Sequence, residues 1–113
     1  MMLLTIAELP GYLRSAAKLL ADDDRRAIIN HLAAHPTAGD LIEGTGGVRK
    51  LRWARDGRGK SGGARVIYYF HSEAMPLYLL TIFAKNERSN LSKAERNALA
   101  GMVDLLVQIW LER

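Results

Sequence analysis

The sequence contains no cysteine, and its hydrophobic residues never gather into one long run. Without cysteine the chain can form neither a disulfide nor a thiolate metal site, and this composition fits a reducing cytoplasm. A helix that crosses a bilayer needs about 20 consecutive apolar residues, and no stretch approaches that length. The apolar opening, 1–6, lacks a basic leader and meets Glu8 and Pro10 at once, which makes it a poor signal peptide. We therefore expect a soluble, cytoplasmic protein.

Acidic residues are almost missing from one part of the chain, residues 47–65, which we call the basic segment. These nineteen positions hold seven of the sixteen lysines and arginines, and Asp56 is their only acid. The rest of the chain carries nine basic and eleven acidic residues. Positive charge confined to one segment is typical of a phosphate-binding surface. A solvated basic loop without function is the plainer alternative, but Leu51 and Trp53 alternate with the charges, which favours a strand.

Length and composition favour one domain over 1–113. A chain of 113 residues can bury about two-thirds of the surface that it exposes when unfolded. Hydrophobic residues make up 49% of the chain, which is enough for an ordinary core. The sequence shows no internal repeat, no low-complexity segment and no internal domain boundary.

Apolar residues recur at helical spacing in three segments. The first two, 9–20 and 24–34, are separated by aspartates, one of which could cap the second helix, and together they predict a helical hairpin. Pro36 ends the second helix. The third helix opens with the capping box Ser92–Glu95. It carries an apolar stripe that should pack on the core: Leu99, Met102, Val103, Leu106, Ile109 and Trp110.

Strand patterns occupy most of the remaining chain. Three runs, 48–55, 64–70 and 77–85, alternate or are rich in β-branched and aromatic residues, and residues 2–6 could form a short strand. The stretch 37–47 is punctuated by glycine and predicts a loop. Successive strands joined by short turns should pair antiparallel. The expected fold is α+β, in the order β-α-α-β-β-β-α, with the helical hairpin on one face of a small sheet and the last helix near the other.

Four cations should converge on one face of that sheet. Lys50 and Arg52 are two residues apart on one strand, so they share a face at a separation of about 7 Å. Arg65 begins the next strand and Lys85 ends the third. Cations beside aromatic rings suit single-stranded nucleic acid, because the cations hold phosphates and the rings accept bases. Further RNA contacts are expected from Arg49, Arg55, Arg58, Lys60, Tyr68 and Phe83.

Core packing is the alternative for the aromatic residues. Tyr68 and Tyr69 are neighbours on one strand, so alternation sends their side chains to opposite faces. At least one of these two tyrosines therefore belongs to the core.

Two motifs typical of nucleotide-binding sites are matched only in part by this sequence. Gly57–Gly62 matches G-x-G-x-x-G, but a strand follows it where a dinucleotide site needs a helix. A P-loop fails as well, since its first glycine would fall on Ala54. His31 and His35 have a spacing that can hold a metal, yet no third ligand is evident, and a structural role is favoured.

Three ordered motifs resemble the RelE/HigB superfamily of toxins from bacterial toxin-antitoxin systems, and its HigB-like branch most. They are Gly44–Arg55, Gly62–Tyr69 and Phe83–Glu87. The resemblance extends in motif detail from Thr37 to the last helix and covers the N-terminal helices in pattern only. The predicted order of elements matches the compact fold of that superfamily.

The resemblance implies a ribosome-dependent endoribonuclease that cuts mRNA without a metal or another cofactor. In such a reaction the ribose 2′-OH attacks the adjacent phosphate, which requires a base, an acid and stabilisation of the developing charge. By position, the resemblance assigns catalysis to Arg65, Lys85, Lys50 and Arg52. The sequence has no tyrosine after Tyr78, although several relatives use one near the last helix, so Glu87 is a candidate for proton transfer.

The implied partners are mRNA on the ribosome and a cognate helix-turn-helix antitoxin of the HigA-like kind, with no membrane. One alternative is a non-catalytic toxin of the same fold that inhibits a target such as gyrase, as ParE-like relatives do. The other alternative is a plain RNA-binding module. A dense basic face argues against gyrase inhibition, because such relatives generally lack the set of catalytic cations.

Overall fold

The structure, a computed structural model, describes residues 4–54, 63–88 and 90–111. Three helices and five strands follow one another, which confirms the predicted α+β class, although the sequence predicted only four strands. In chain order they are β1 (Ile6–Glu8), α1 (Pro10–Leu19), α2 (Asp22–Ala34), β2 (Asp40–Leu41), β3 (Val48–Trp53), β4 (Ala64–Tyr69), β5 (Leu77–Ala84) and α3 (Lys93–Leu111). No helix in these ranges is long and apolar enough to span a bilayer.

The strands form one sheet in the order β1-β5-β4-β3-β2. The pairs β2–β3, β3–β4 and β4–β5 are antiparallel, as predicted for strands in direct succession. β1 instead pairs parallel to β5, with Ile6 opposite Leu77. The helical hairpin supplies the long crossover that a parallel pair requires. β2 lies inside the stretch predicted as a loop, because two residues are too few to show a strand pattern.

Helices cover both faces of the sheet, as expected. On one face, which we call the hairpin face, α1 and α2 bury Tyr12, Ala16, Ile28 and Leu32 against the sheet. On the other, the α3 face, Leu99 and Val103 of α3 pack with Leu91 against strand residues. The strand residues of the hairpin face include Leu51, Val66, Tyr68, Leu77, Leu79 and Ile82, and those of the α3 face include Val48, Ile67, Tyr69, Leu80 and Phe83.

The helix starts use different devices. Pro10 occupies the first turn of α1, where its missing N–H costs no hydrogen bond. The prediction that an aspartate caps α2 is wrong: Ala21 is the N-cap and forms no side-chain cap. Asp22, Asp23 and Asp24 lie within the first turn instead, where they interact favourably with the positive end of the helix.

The predicted capping box at the start of α3 is confirmed. The Glu95 N–H donates to Ser92 Oγ at 3.1 Å, and the Ser92 N–H donates to Glu95 Oε1 at 2.8 Å. Arg88 also donates to the Glu95 carboxylate. The bond from Arg88, followed by that from the Ser92 N–H, lowers the pKa of Glu95 to about 2. Together these contacts attach the first turn of α3 to the segment after β5.

The apolar stripe predicted for α3 is wider than the surface that the sheet covers. Leu99 and Val103 are buried, and Trp110 donates from Nε1 to the Tyr78 hydroxyl at 2.7 Å. Met102 and Ile109 are 39% and 57% exposed, so their predicted packing is wrong. An i, i+3, i+4 pattern identifies an apolar side of a helix but not how much of that side a neighbour covers.

The turn before β3 fixes the start of that strand. Thr45 is fully buried; its Oγ1 donates to Ile42 O at 2.6 Å and accepts the Val48 N–H at 3.1 Å. Gly46 and Gly47 have φ of +75° and +116°, which side chains with a Cβ rarely adopt. The turn thereby sets the register that determines which residues of β3 face α3.

Candidate nucleic-acid interface

The cations predicted to share a sheet face are brought together on the α3 face. Val48 lies in the core of this face, and alternation along β3 places Lys50 and Arg52 on the same side. Arg52 stands directly opposite Arg65 of β4, which in turn stands opposite Phe83 of β5. The Lys85 N–H donates to Gly63 O at 2.9 Å, so the ladder continues past β5 and alternation directs Lys85 to this face as well. We call Lys50, Arg52, Arg65 and Lys85 the cationic cluster.

Arg65 differs from its neighbours because it is buried. Only 4% of it is exposed, whereas Arg52 is exposed to solvent. Its Nη1 donates to Ala64 O at 3.2 Å. Burial, and next the charge of Arg52, lower the pKa of Arg65. Arg52 and Arg65 therefore present two cations side by side, and both attract an anion such as a phosphate.

The segment that follows β5 forms one wall of this site. Lys50 Nζ donates to Asn90 Oδ1 at 3.3 Å, which links β3 to the residues before α3. The Arg88 guanidinium lies over the Phe83 ring, 4.5 Å from its centroid. Arg88, whose charge is paired with the Glu95 carboxylate, therefore lies beside the cationic cluster. No periodicity in the sequence marks it because it lies in a loop. Glu87, the candidate for proton transfer, is exposed in the same segment.

The predicted stacking of RNA bases on Phe83 is wrong. Phe83 is 5% exposed and belongs to the core of the α3 face. Arg88 lies over its ring at the position that a base would need. Phe83 therefore supports a cation at the edge of the site instead of presenting a surface to a base.

The predicted RNA contact of Tyr68 is also wrong, because its side chain is buried on the hairpin face. The side chain of Arg49 lies on the same face, and its RNA contact stays a prediction. Arg49 Nη1 donates to Gly39 O at 2.8 Å and to Thr37 O at 3.3 Å. Tyr68 is fully buried; its hydroxyl accepts the Gly39 N–H at 2.8 Å and donates to Pro36 O at 2.9 Å. The two residues pair across β3 and β4 and hold the loop after α2. Period-two alternation separates Arg49 from Lys50, so the sequence already contained this signal.

Removing the Tyr68 hydroxyl should destabilise the protein. Tyr68→Phe leaves the Gly39 N–H and the Pro36 carbonyl without their partner, which should lower the free energy of unfolding by about 1–3 kcal/mol. Urea denaturation measures the change. Tyr69→Phe is the matched control, since no hydrogen bond of its hydroxyl occurs among the described residues. Equal midpoints for the two variants would contradict the structural role of the Tyr68 hydroxyl.

Three predicted RNA contacts, Arg55, Arg58 and Lys60, lie outside the described residues, as does most of the glycine pattern at 57–62. The histidines have a structural setting. The His31 ring packs against Trp53 at a centroid distance of 5.7 Å and against His35 at 5.3 Å. Across 4–54, 63–88 and 90–111, no three His, Cys, Asp or Glu residues are grouped to hold a metal ion.

These features define a small α+β protein with cations on one sheet face beside its C-terminal helix. A family model described as the RelE toxin of the RelE / RelB toxin-antitoxin system matches residues 13–112. The chain therefore belongs to the RelE toxin family, and this membership implies a cognate antitoxin. The resemblance drawn from the sequence is thereby confirmed at the level of the family.

A solved structure supports the fold independently. The protein is similar to a double arginine-to-alanine mutant of E. coli toxin RelE in the free state, with a TM-score of 0.55 and 14% sequence identity. The match covers 93% of this chain and 100% of the E. coli chain. At this identity the comparison shows a shared fold.

Proposed function

We propose that this toxin is a ribosome-dependent endoribonuclease of the HigB-like branch that cleaves mRNA and inhibits translation. One observation carries the proposal: Arg65 is buried directly opposite Arg52, on the face that Lys50 shares. Like charges crowded in this way are typical of sites that bind phosphate or another anion. A basic surface that merely aids solubility has no need of a buried arginine.

The chemistry follows from what these side chains can supply. The ribose 2′-OH attacks the adjacent phosphorus, the bond to the 5′ oxygen breaks, and the products are a 2′,3′-cyclic phosphate and a 5′-OH. Arg65 can offer two parallel N–H groups to the phosphate oxygens, and this interaction strengthens as negative charge develops. Lys85, Lys50 and Arg52 neutralise the same charge. Glu87 is our candidate for accepting the 2′-OH proton, and water supplies the proton that converts the leaving 5′ oxygen into the 5′-OH.

The ribosome is proposed to supply the positioning that the cationic cluster lacks. Lysine and arginine neutralise phosphates, but contacts to phosphates do not by themselves select a sequence. Holding mRNA in a fixed geometry makes the attack effectively unimolecular and contributes a large part of the rate. Since ribosomes are the target, we place the action of the toxin in the cytoplasm. Its antitoxin is proposed to be a HigA-like helix-turn-helix protein.

Induction of the toxin without its antitoxin, followed by primer extension on cellular mRNA, tests the proposal. We expect growth arrest together with new 5′ ends inside translated messages. Arg52→Gln should reduce the cuts at least tenfold, because it removes an exposed cation of the cluster. Arg14→Gln is the matched control, since Arg14 is an exposed arginine of α1.

Two results would contradict the proposal. Growth arrest without mRNA cuts would point instead to a non-catalytic target such as gyrase. Degradation of naked RNA by purified toxin as fast as ribosome-bound message would refute the dependence on the ribosome.

A further inference from the structure

A recess of about 350 Å³ opens beside the cationic cluster, between α2 and the end of β3. It is lined by Asp24, His31, Leu51, Arg52, Trp53 and Ala54. Its position follows from the sheet: β2 pairs only with Arg49 and Lys50, so among the described residues β3 has no neighbour strand on that side beyond Lys50. The described strands therefore leave the edge of β3 open beside the recess.

The walls of the recess suit a flat aromatic ligand. Trp53 is half-buried, and its ring meets that of His31 in an edge-on arrangement, with a centroid distance of 5.7 Å and an interplanar angle of 60°. An edge-on contact covers less of the ring faces than a parallel stack does, so more ring surface is left for a planar ligand. Stacking of a nucleobase on a tryptophan requires no particular base, because every base has a π face. The Trp53–His31 pair thus contributes to the affinity for any nucleobase.

Asp24 supplies a means of choosing between bases. Trp53 Nε1 donates to Asp24 Oδ1 at 3.5 Å, a long contact that leaves most of the acceptor capacity of the carboxylate unused. Adenine, cytosine and guanine carry an exocyclic amino group that can donate to a carboxylate. Uracil has no amino group, and the carbonyl oxygens on either side of its single N3–H donor repel a carboxylate, so Asp24 gains less from uracil than from the other bases. The negative charge also disfavours a phosphate in the recess.

Arg52 joins the recess to the cationic cluster. It lines the recess and stands opposite Arg65, while the adjacent Trp53 faces the other side of the sheet. The backbones of adjacent strand residues are about 3.4 Å apart, but their side chains point to opposite faces. An RNA strand that passes around the edge of β3 can contact Arg52 with a phosphate and Trp53 with a base.

We propose that this recess binds a nucleobase next to the cleaved phosphate, with Trp53 stacking on the base and Asp24 selecting bases that carry an amino group. The inference rests on the proposed function, since the bound base belongs to the RNA that the toxin cleaves. It assigns a specificity role to α2, which contributes no residue to the cationic cluster.

Two measurements test the recess. The first compares cleavage of ribosome-bound messages that differ at a single nucleotide beside the cut. Wild-type toxin should cleave messages with adenine, cytosine or guanine there about tenfold faster than those with uracil. Asp24→Asn should abolish or invert this preference, because an amide can donate to uracil. Asp22→Asn removes the same charge from an exposed residue of the same helical turn and should keep the preference.

The second measurement does not depend on cleavage. Cytidine monophosphate should quench the tryptophan fluorescence of the purified toxin saturably and more strongly than uridine monophosphate. Trp53→Leu should remove this quenching and leave the signal of Trp110. Equal quenching by both nucleotides, or an unchanged base preference in Asp24→Asn, would overturn the recess proposal while leaving the nuclease proposal intact. If the wild type cleaves no message but its fluorescence is quenched more strongly by cytidine monophosphate, the nuclease proposal is refuted. Binding of a base in the recess is then still supported.

Discussion

Cells that express Arg65→Met should continue to grow, because the variant should lose about a hundredfold in the rate of RNA cleavage. Loss of one preorganised donor to a developing oxyanion commonly costs about 3 kcal/mol of transition-state stabilisation. Methionine fills much of the space of the arginine side chain and is a soft, adaptable core residue. It also removes the cost of burying a positive charge beside Arg52. The variant should therefore stay folded while losing activity.

The choice of methionine follows from the burial of Arg65. From the sequence alone, an arginine at a strand start is expected to be exposed and to support little of the core. That expectation is wrong, since Arg65 is 4% exposed. Arg65→Ala would leave a cavity of several methylene groups, and lost stability would then mask lost chemistry.

Growth, primer extension and thermal melts should be measured side by side for three variants. Arg65→Lys keeps the charge but not the two parallel donors, so its activity should fall between wild type and Arg65→Met. Arg14→Met is the control for loss of an arginine from an exposed site. Full toxicity of Arg65→Met at normal abundance would show that Arg65 has no part in the mechanism. Unfolding of this variant would show that Arg65 is needed for the stability of the fold.

The same substitution at two glycines should change stability in opposite directions. A Cβ added at Gly63 would lie 2.1 Å from Trp53 O and 3.1 Å from Ala54 Cα. Both are backbone atoms at the end of the neighbouring strand β3, which cannot move aside easily. Gly63 O also accepts the Lys85 N–H at 2.9 Å, so the residue is held from both sides. Gly63→Ala should therefore lower the free energy of unfolding by about 3 kcal/mol. Trp53 pairs with Ala64 next to the cationic cluster, so the Gly63→Ala variant should also be less toxic.

Gly101 provides the matched control within α3. Among the described residues, no atom outside the neighbouring backbone of α3 lies within 4 Å of a Cβ added there, and glycine inside a helix is about 1 kcal/mol less favourable than alanine. Gly101→Ala should therefore raise the free energy of unfolding by about 1 kcal/mol. Urea denaturation of both variants measures the two changes. A shift of both midpoints in the same direction would contradict the packing at Gly63.

Local periodicity predicted most of the fold and the centre of the candidate site. Alternation along β3 was enough to direct Lys50 and Arg52 to one face, and the capping box marked the start of α3. Pairing between distant segments was not predictable in this way. The parallel contact of Ile6 with Leu77 depends on how the hairpin crosses the sheet, and no local pattern encodes it.

The parts of the site that the sequence did not reveal depend on packing. The burial of Arg65 arises because β4 lies at the centre of the sheet, between β3 and β5. Arg88 reaches the site from a loop and is held there by Phe83 and Glu95. The recess combines Asp24 of α2 with Trp53 of β3, and residues 29 positions apart come together only after the hairpin folds onto the sheet.

The place of β5 in the sheet has a consequence for the synthesis of this toxin. β5 lies between β1 and β4, yet Leu77 is made about 70 residues after its partner Ile6. At translation rates of about 5–20 residues per second, β1 waits roughly 4–14 s for that partner. Arg65 is flanked on both sides only when β5 has left the ribosome. A chain cut short before β5 therefore lacks the strand that completes the surroundings of Arg65, so the cationic cluster forms only after most of the chain has been made.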